Sequence, residues 1–257
     1  MLRLRRVFPT LQQFLFGIHE ASVLRRYLSL FSQRVRSGPF SGMKYIGQST
    51  GSAYLPKIFG TYELELESVW NLGYLRQFGA IVDVGCAEGY YLAGIGHALR
   101  AAGHSLPRLV GYDVNPHAIG LAKSLLQLNG LEAELHCRPF TALPGTVRTL
   151  LIVDIEGAET ELFRPPLTDA LTHADIVCEV HDEPTSTRTF DTLVSRLSPT
   201  HTIRTFYATP RRIEQFPRSL RVSVHPHLKL ESMNEGRKYA NRWIHCTRPS
   251  SVDRVRA

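Results

Sequence analysis

From residue 80 onward the chain alternates short apolar runs with longer amphipathic stretches, and this alternation narrows the fold more than any other feature. Ala80–Val84, Leu109–Asp113, Glu132–Cys137, Thr149–Ile155 and Ile176–His181 read as five strands, four of them almost wholly apolar. Runs of that kind suit strands buried on both faces. Residues 89–102 carry helical spacing and stop at Gly103. The next helix is capped by Asn115, has Pro116 in its first turn and ends at Gly130. Thr185–Leu197 is a further helix, and His201–Tyr207 and Arg242–Thr247 are the last two strands. Strand alternating with helix predicts an α/β fold, a doubly wound, mostly parallel seven-stranded sheet. With no clear helix between them, the last two strands are expected as an antiparallel pair at one edge.

Upstream of the sheet the pattern is looser. Residues 61–79 place Leu64, Leu66, Val69, Trp70, Leu72 and Leu75 on one broad apolar face and predict a helix. Residues 40–60 are rich in Gly and Ser and read as irregular structure. Residues 1–40 carry seven arginines and one acid, Glu20. Leu11, Phe14, Leu15 and Ile18 recur there at helical spacing, which favours an amphipathic helix packed on the sheet domain over an organelle-targeting peptide. The division expected is a basic helical extension and irregular segment, 1–59, followed by the sheet domain, 60–257.

The net charge of +7 is concentrated at the two ends and permits an anionic partner, either nucleic acid or a membrane surface, without requiring one. No apolar run reaches the ~20 residues of a membrane span. The four cysteines are far apart with no CxxC pair, so buried, reduced thiols in a cytoplasmic protein are expected.

In a doubly wound sheet, ligands bind beyond the carboxyl ends of the strands. The first strand runs into Asp83-Val84-Gly85-Cys86-Ala87-Glu88-Gly89. Small residues let this backbone turn sharply and approach a ligand. The spacing fails the dinucleotide fingerprint G-x-G-x-x-G. It resembles the D-x-G-x-G-x-G loop of class I methyltransferases, with Ala87 at the middle glycine. That resemblance implies S-adenosylmethionine as cofactor, with Asp83, Gly85, Ala87 and Gly89 around it. Asp113 ends the second strand, where two carboxylate oxygens can accept both hydroxyls of a ribose. A helix cap is the alternative role, but Asn115 is better placed for that.

A second constellation follows the fourth and fifth strands: Asp154-Ile155-Glu156-Gly157-Ala158-Glu159 and Glu179-Val180-His181. With Gly60-Thr61-Tyr62-Glu63-Leu64-Glu65-Leu66 upstream, these residues resemble the FkbM family of methyltransferases over roughly residues 60–182. The departures are Ala87 and the long basic N-terminus. The resemblance implies methylation of a hydroxyl on a small molecule or glycan, with Glu63 and Glu179 as substrate contacts. Asp154, Glu156 and His181 are the candidate catalytic residues. Asp154 and Glu156 share a face if the strand continues through Ile155, as Glu179 and His181 do. Acids crowded there repel one another, which raises a pKa and makes a base. The alternatives are acids favouring a helix dipole, a core histidine, or a divalent metal held by the three acids and the histidine; the favoured reading has no metal.

Two other readings compete. Charge favours an RNA methyltransferase, but the fourth strand lacks the N/D-P-P-Y/F turn of base amino-group methylation, and no Pro-Cys nucleophile stands there. A non-catalytic binding protein of the same fold is disfavoured by the intact first loop and Asp113.

Overall fold

The computed structural model describes residues 33–143, 145, 147–220, 224–237 and 242–248. The N-terminal helix expected around Leu11–Ile18 lies outside the described residues. The seven strands are β1 (Ala80–Val84), β2 (Arg108–Asp113), β3 (Glu134–Cys137), β4 (Thr149–Val153), β5 (Ala174–Val180), β6 (Thr202–Tyr207) and β7 (Arg242–Thr247). They form one sheet in the order β3-β2-β1-β4-β5-β7-β6. The pairs from β3 to β5 are parallel, and β7 runs antiparallel to both β5 and β6. This is the Rossmann-like methyltransferase fold, with the antiparallel pair at one edge as expected. The reversed strand, however, is the inner member of that pair, and β6 is outermost.

Alternate strand residues feed two apolar layers, as the two-residue pleat requires. Ile81, Leu150, Ile152 and Val177 face one layer, with helix Tyr90–Ala101 and residues 35–78. Val82, Val84, Leu151 and Val153 face the other, with Phe163, Leu193 and Leu197. The N-terminal stretch is part of the first layer. Val35, Phe40, Met43, Tyr45, Ile58 and Phe59 are all buried there. Gly94 makes room for one of them, since a Cβ at that point would lie 2.5 Å from the Phe40 ring. Packing is therefore continuous across the boundary expected at residue 59.

Four stretches differ from expectation. Residues 61–79 are not one helix but a short 3-10 turn (Leu64–Leu66) and a four-residue helix (Leu72–Leu75). Leu66, Val69, Trp70 and Leu75 are buried as the pattern indicated. Glu63 is left-handed at φ 47, and Asn71 restarts the chain by accepting the Gly73 N–H at 2.8 Å. Residues 40–60 end in a helix, Tyr54–Phe59, and residues 208–241 contain a helix, Pro226–Ser232. Strand β4 stops at Val153, so Glu156 is not on a strand. Of the four cysteines, all free, Cys137 is exposed and the other three are buried. Among the described residues no helix is long and apolar enough to cross a membrane.

Candidate functional site

The turn after β1 is pinned from both sides. Gly85 N–H and Cys86 N–H donate to the Tyr112 carbonyl at 2.8 and 3.0 Å, and Asp154 N–H donates to the Val84 carbonyl at 2.9 Å. Gly85 has φ 81, and a Cβ there would stand 1.7 Å from the Asp154 carbonyl oxygen. The neighbouring chain alone therefore demands glycine. Ala87 (φ 48) and Gly89 (φ 80) are also left-handed. For alanine this conformation costs roughly 1–2 kcal/mol. Asp113 offsets it: Oδ2 accepts the Ala87 N–H at 2.9 Å while Oδ1 accepts the Asn115 N–H at 2.8 Å. A carboxylate offers about four lone-pair sites, so Asp113 retains acceptor capacity toward a ligand. Asn115 is the helix cap, accepting the His117 N–H at 2.9 Å. Asp83 lies buried beneath the turn; burial and the charge of Asp113 push its pKa up to about 7, against the pull of Lys57.

Sequence reasoning passed over Glu88 in this turn. It is wholly buried. Its Oε1 accepts from the Tyr45 hydroxyl at 2.6 Å and pairs with Lys57, and its Oε2 accepts the Thr50 N–H at 3.0 Å. Burial works against the charge, yet Lys57 and these donors hold the carboxyl below its ordinary pKa. The available signal was a lone lysine inside an apolar helix and an acid inside a small-residue turn.

A second cluster forms where β4 and β5 end. His181 Nδ1 lies 2.8 Å from Oε1 of Glu159, which is wholly buried. His181 Nε2 faces Glu156 Oε2 at 3.5 Å, Asp154 Oδ1 at 3.7 Å and Glu179 Oε2 at 3.9 Å. The convergence of Asp154 and Glu156 comes from a turn in which Glu156 is left-handed at φ 54, not from a continued strand. Burial opposes charge on His181, but the hydrogen bond to Glu159 and the charges of Glu179, Glu159 and Asp154 prevail and raise its pKa to about 9. Burial, Glu179 and Glu63 push Asp154 well above the usual carboxylate range, against His181.

Glu63 and Glu179 belong to the same region but do not present open carboxylates. Arg237 pairs with both, and with Glu235 at 2.8 Å. Glu63 also accepts from the Tyr91 hydroxyl. Burial and Glu179 raise Glu63 to about 8, with Arg237 opposing. Arg211 continues the network to Glu65 at 3.0 Å and to Glu235. Sequence reasoning missed Arg237, because two of its three partners, Glu179 and Glu63, are 58 and 174 residues away along the chain. A cavity of about 430 Å³ opens beside this network, bounded by Arg211, Leu230, Met233, Glu235 and Arg237 among others.

No protein-family profile matches the chain. A ribosomal protein L11 methyltransferase from Geobacter metallireducens is 31% identical over 116 residues, which are 44% of this chain and 36% of that protein. The chain thus spans little more than a third of the curated relative it matches. A solved methyltransferase from Pyrococcus furiosus superposes over 91% of this chain and 100% of that one, with 10% identity and a TM-score of 0.47. An S-adenosylmethionine-dependent O-methyltransferase from Thermotoga maritima covers 73% of this chain and 66% of that one, with 14% identity and a TM-score of 0.42. Likeness this distant leaves the strand order and the reversed seventh strand as the ground for the fold class.

Proposed function

We propose that the chain is an S-adenosylmethionine-dependent methyltransferase that transfers a methyl group to a hydroxyl of a small molecule or glycan, as its FkbM-like motifs imply. One observation carries this reading: Asp154 joins the two clusters. Its backbone packs on the Gly85 turn, and its carboxylate faces His181. A base at that position stands next to the turn that would hold the cofactor. The segmental likeness to a ribosomal protein methyltransferase supports the reaction class.

Gly85, Ala87 and Gly89 would give the cofactor a surface of small side chains, Asp83 would underlie them, and Asp113 would accept the ribose hydroxyls. S-adenosylmethionine, when bound, supplies an electrophilic methyl group on a sulfonium. Asp154 takes the proton of the attacking hydroxyl; a carboxyl with a raised pKa is the better base near neutrality. His181, with Glu156, orients the hydroxyl. Arg237 holds Glu63 and Glu179 in place behind Asp154, so these two acids shape the substrate side through the arginine.

Calorimetry with S-adenosylmethionine tests the first half. Asp113→Ala should weaken binding by about 1–3 kcal/mol, the cost of leaving partners unsatisfied. Unchanged affinity would remove the cofactor assignment. A tritium-transfer screen over small alcohols, glycans and RNA tests the acceptor. With an acceptor in hand, Asp154→Asn should lower kcat by roughly 10²–10⁴-fold while leaving cofactor affinity in place.

A further inference from the structure

We infer that Asp154, Glu156 and His181 form a binding site for a first-row divalent cation. One oxygen of each carboxylate and one ring nitrogen of His181 all lie within 4.8 Å of one another. The two distances to Nε2, 3.5 and 3.7 Å, are too long for hydrogen bonds. They are close to the roughly 3–3.5 Å that separates ligand atoms sharing one ion at bond lengths near 2.1 Å.

Three further observations point to an ion rather than a plain acidic surface. Asp154 Oδ1 is a buried oxygen with no hydrogen-bond partner, and it faces Nε2. Such an orphan is costly unless something fills its lone pairs. His181 is also set up as a ligand from behind: a wholly buried carboxylate, Glu159, takes the Nδ1 side and leaves Nε2 directed at the two acids. Metal-binding histidines are held in this carboxylate–histidine arrangement. The local charge is unbalanced as well. Glu63, Asp154, Glu156, Glu159, Glu179 and Glu235 gather around Arg237 and His181, and Arg211 is shared between Glu65 and Glu235. Among the described residues, carboxyl groups outnumber cations in this region.

Glu156 gives the ion a way in. Its side chain is 78% exposed, while His181 is 18% exposed. One imidazole and two carboxylates suit Mn²⁺, Fe²⁺ or Zn²⁺ better than the all-oxygen preference of Mg²⁺ or Ca²⁺. With the ion bound, Asp154 becomes a ligand, and an acceptor hydroxyl would meet a Lewis acid where it otherwise meets a base. The site does not depend on S-adenosylmethionine.

The test uses the full chain, free of affinity tags and treated with a chelator. Mn²⁺ is titrated by calorimetry and electron paramagnetic resonance, and Co²⁺ by its visible absorption. The expected result is one saturable ion per chain at micromolar concentration. Glu156→Gln, at an exposed side chain, should keep the fold and weaken binding at least about 10–100-fold, the loss that even outer-shell changes cause. Glu161→Gln, exposed and outside the cluster, should bind as the parent does. His181→Asn should abolish the Co²⁺ bands. Absence of saturable binding below millimolar concentration overturns the inference, as does equal binding by Glu156→Gln and the parent. Calorimetry with S-adenosylmethionine on the same metal-free sample separates the two readings. Cofactor binding without Mn²⁺ binding defeats the cation site alone; Mn²⁺ binding without cofactor binding defeats the methyltransferase reading alone.

Discussion

Single residues in the first turn answer to the protein before they answer to any ligand. Glycine at 85 reads naturally as room for a cofactor, yet the Asp154 carbonyl is what fills the space where a Cβ would go. Gly85→Ala is expected to destabilise the fold by at least about 1–3 kcal/mol from backbone strain alone, measured by urea unfolding. A protein that unfolds at the parent's midpoint would contradict that packing. Asp83 makes a pH-dependent claim. Its folded pKa is raised from 3.8 to about 7. The folded state therefore holds a proton that the unfolded chain releases across that window. Stability from this group is complete below about pH 3.8 and is lost as pH rises through about 7. Asp83→Asn should match the parent's stability at the acid end, gain on it steadily with rising pH, and hold a constant advantage above about 7. A difference independent of pH in paired thermal melts would refute the shift.

At the scale of elements, the helix Tyr54–Phe59 is tied to the turn before helix Tyr90–Ala101 through one buried ion pair, Lys57–Glu88. The Lys57 ammonium also sits 4.9 Å from the Tyr62 ring and 5.3 Å from the Tyr90 ring. Removing one partner of a buried pair leaves an uncompensated charge, at about 3–5 kcal/mol. Lys57→Met should cost about that much, while Lys57→Met combined with Glu88→Gln should cost clearly less than the sum of the two single changes. Additive losses in the double-mutant cycle would show that the pair is not coupled. The stretch 61–79 buries an apolar face without forming one helix. Its apolar spacing indicated correctly which side chains are buried, but burial does not need a helix. Glu63 and Glu65 turn inward to arginines far along the chain, and Glu63 takes a left-handed backbone. No local pattern announces partners at that distance.

Over the whole molecule, the layer formed by residues 35–59 and the sheet is continuous. Phe40 packs against Trp70, Tyr90 and Tyr91, and Tyr45 reaches Glu88. A fragment starting at residue 60 would expose that face and leave the Glu88 carboxylate without Lys57, Tyr45 and Thr50. Residues 60–257 alone are therefore expected to lack a cooperative thermal transition and a dispersed amide spectrum. A sharp transition in that fragment would establish residue 59 as a true domain boundary.

Periodicity, caps and turn residues determined the sheet. Strands β1 and β7 fall on the residues read from the sequence, Asn115 caps its helix, and the antiparallel pair lies at the edge, because strand burial and capping are local properties. The acids and histidine beyond β4 and β5 were visible for the same reason: a parallel sheet brings its carboxyl ends together whatever the loops do. Only the tertiary structure decided how those groups meet. It replaced a continued strand with a left-handed Glu156, set Glu159 behind His181, closed Glu63 and Glu179 behind Arg237, and buried Lys57 against Glu88. Each of these contacts joins residues on different elements. The energy of a buried charge depends on what surrounds it in space, and a sequence read along one dimension does not contain that distance.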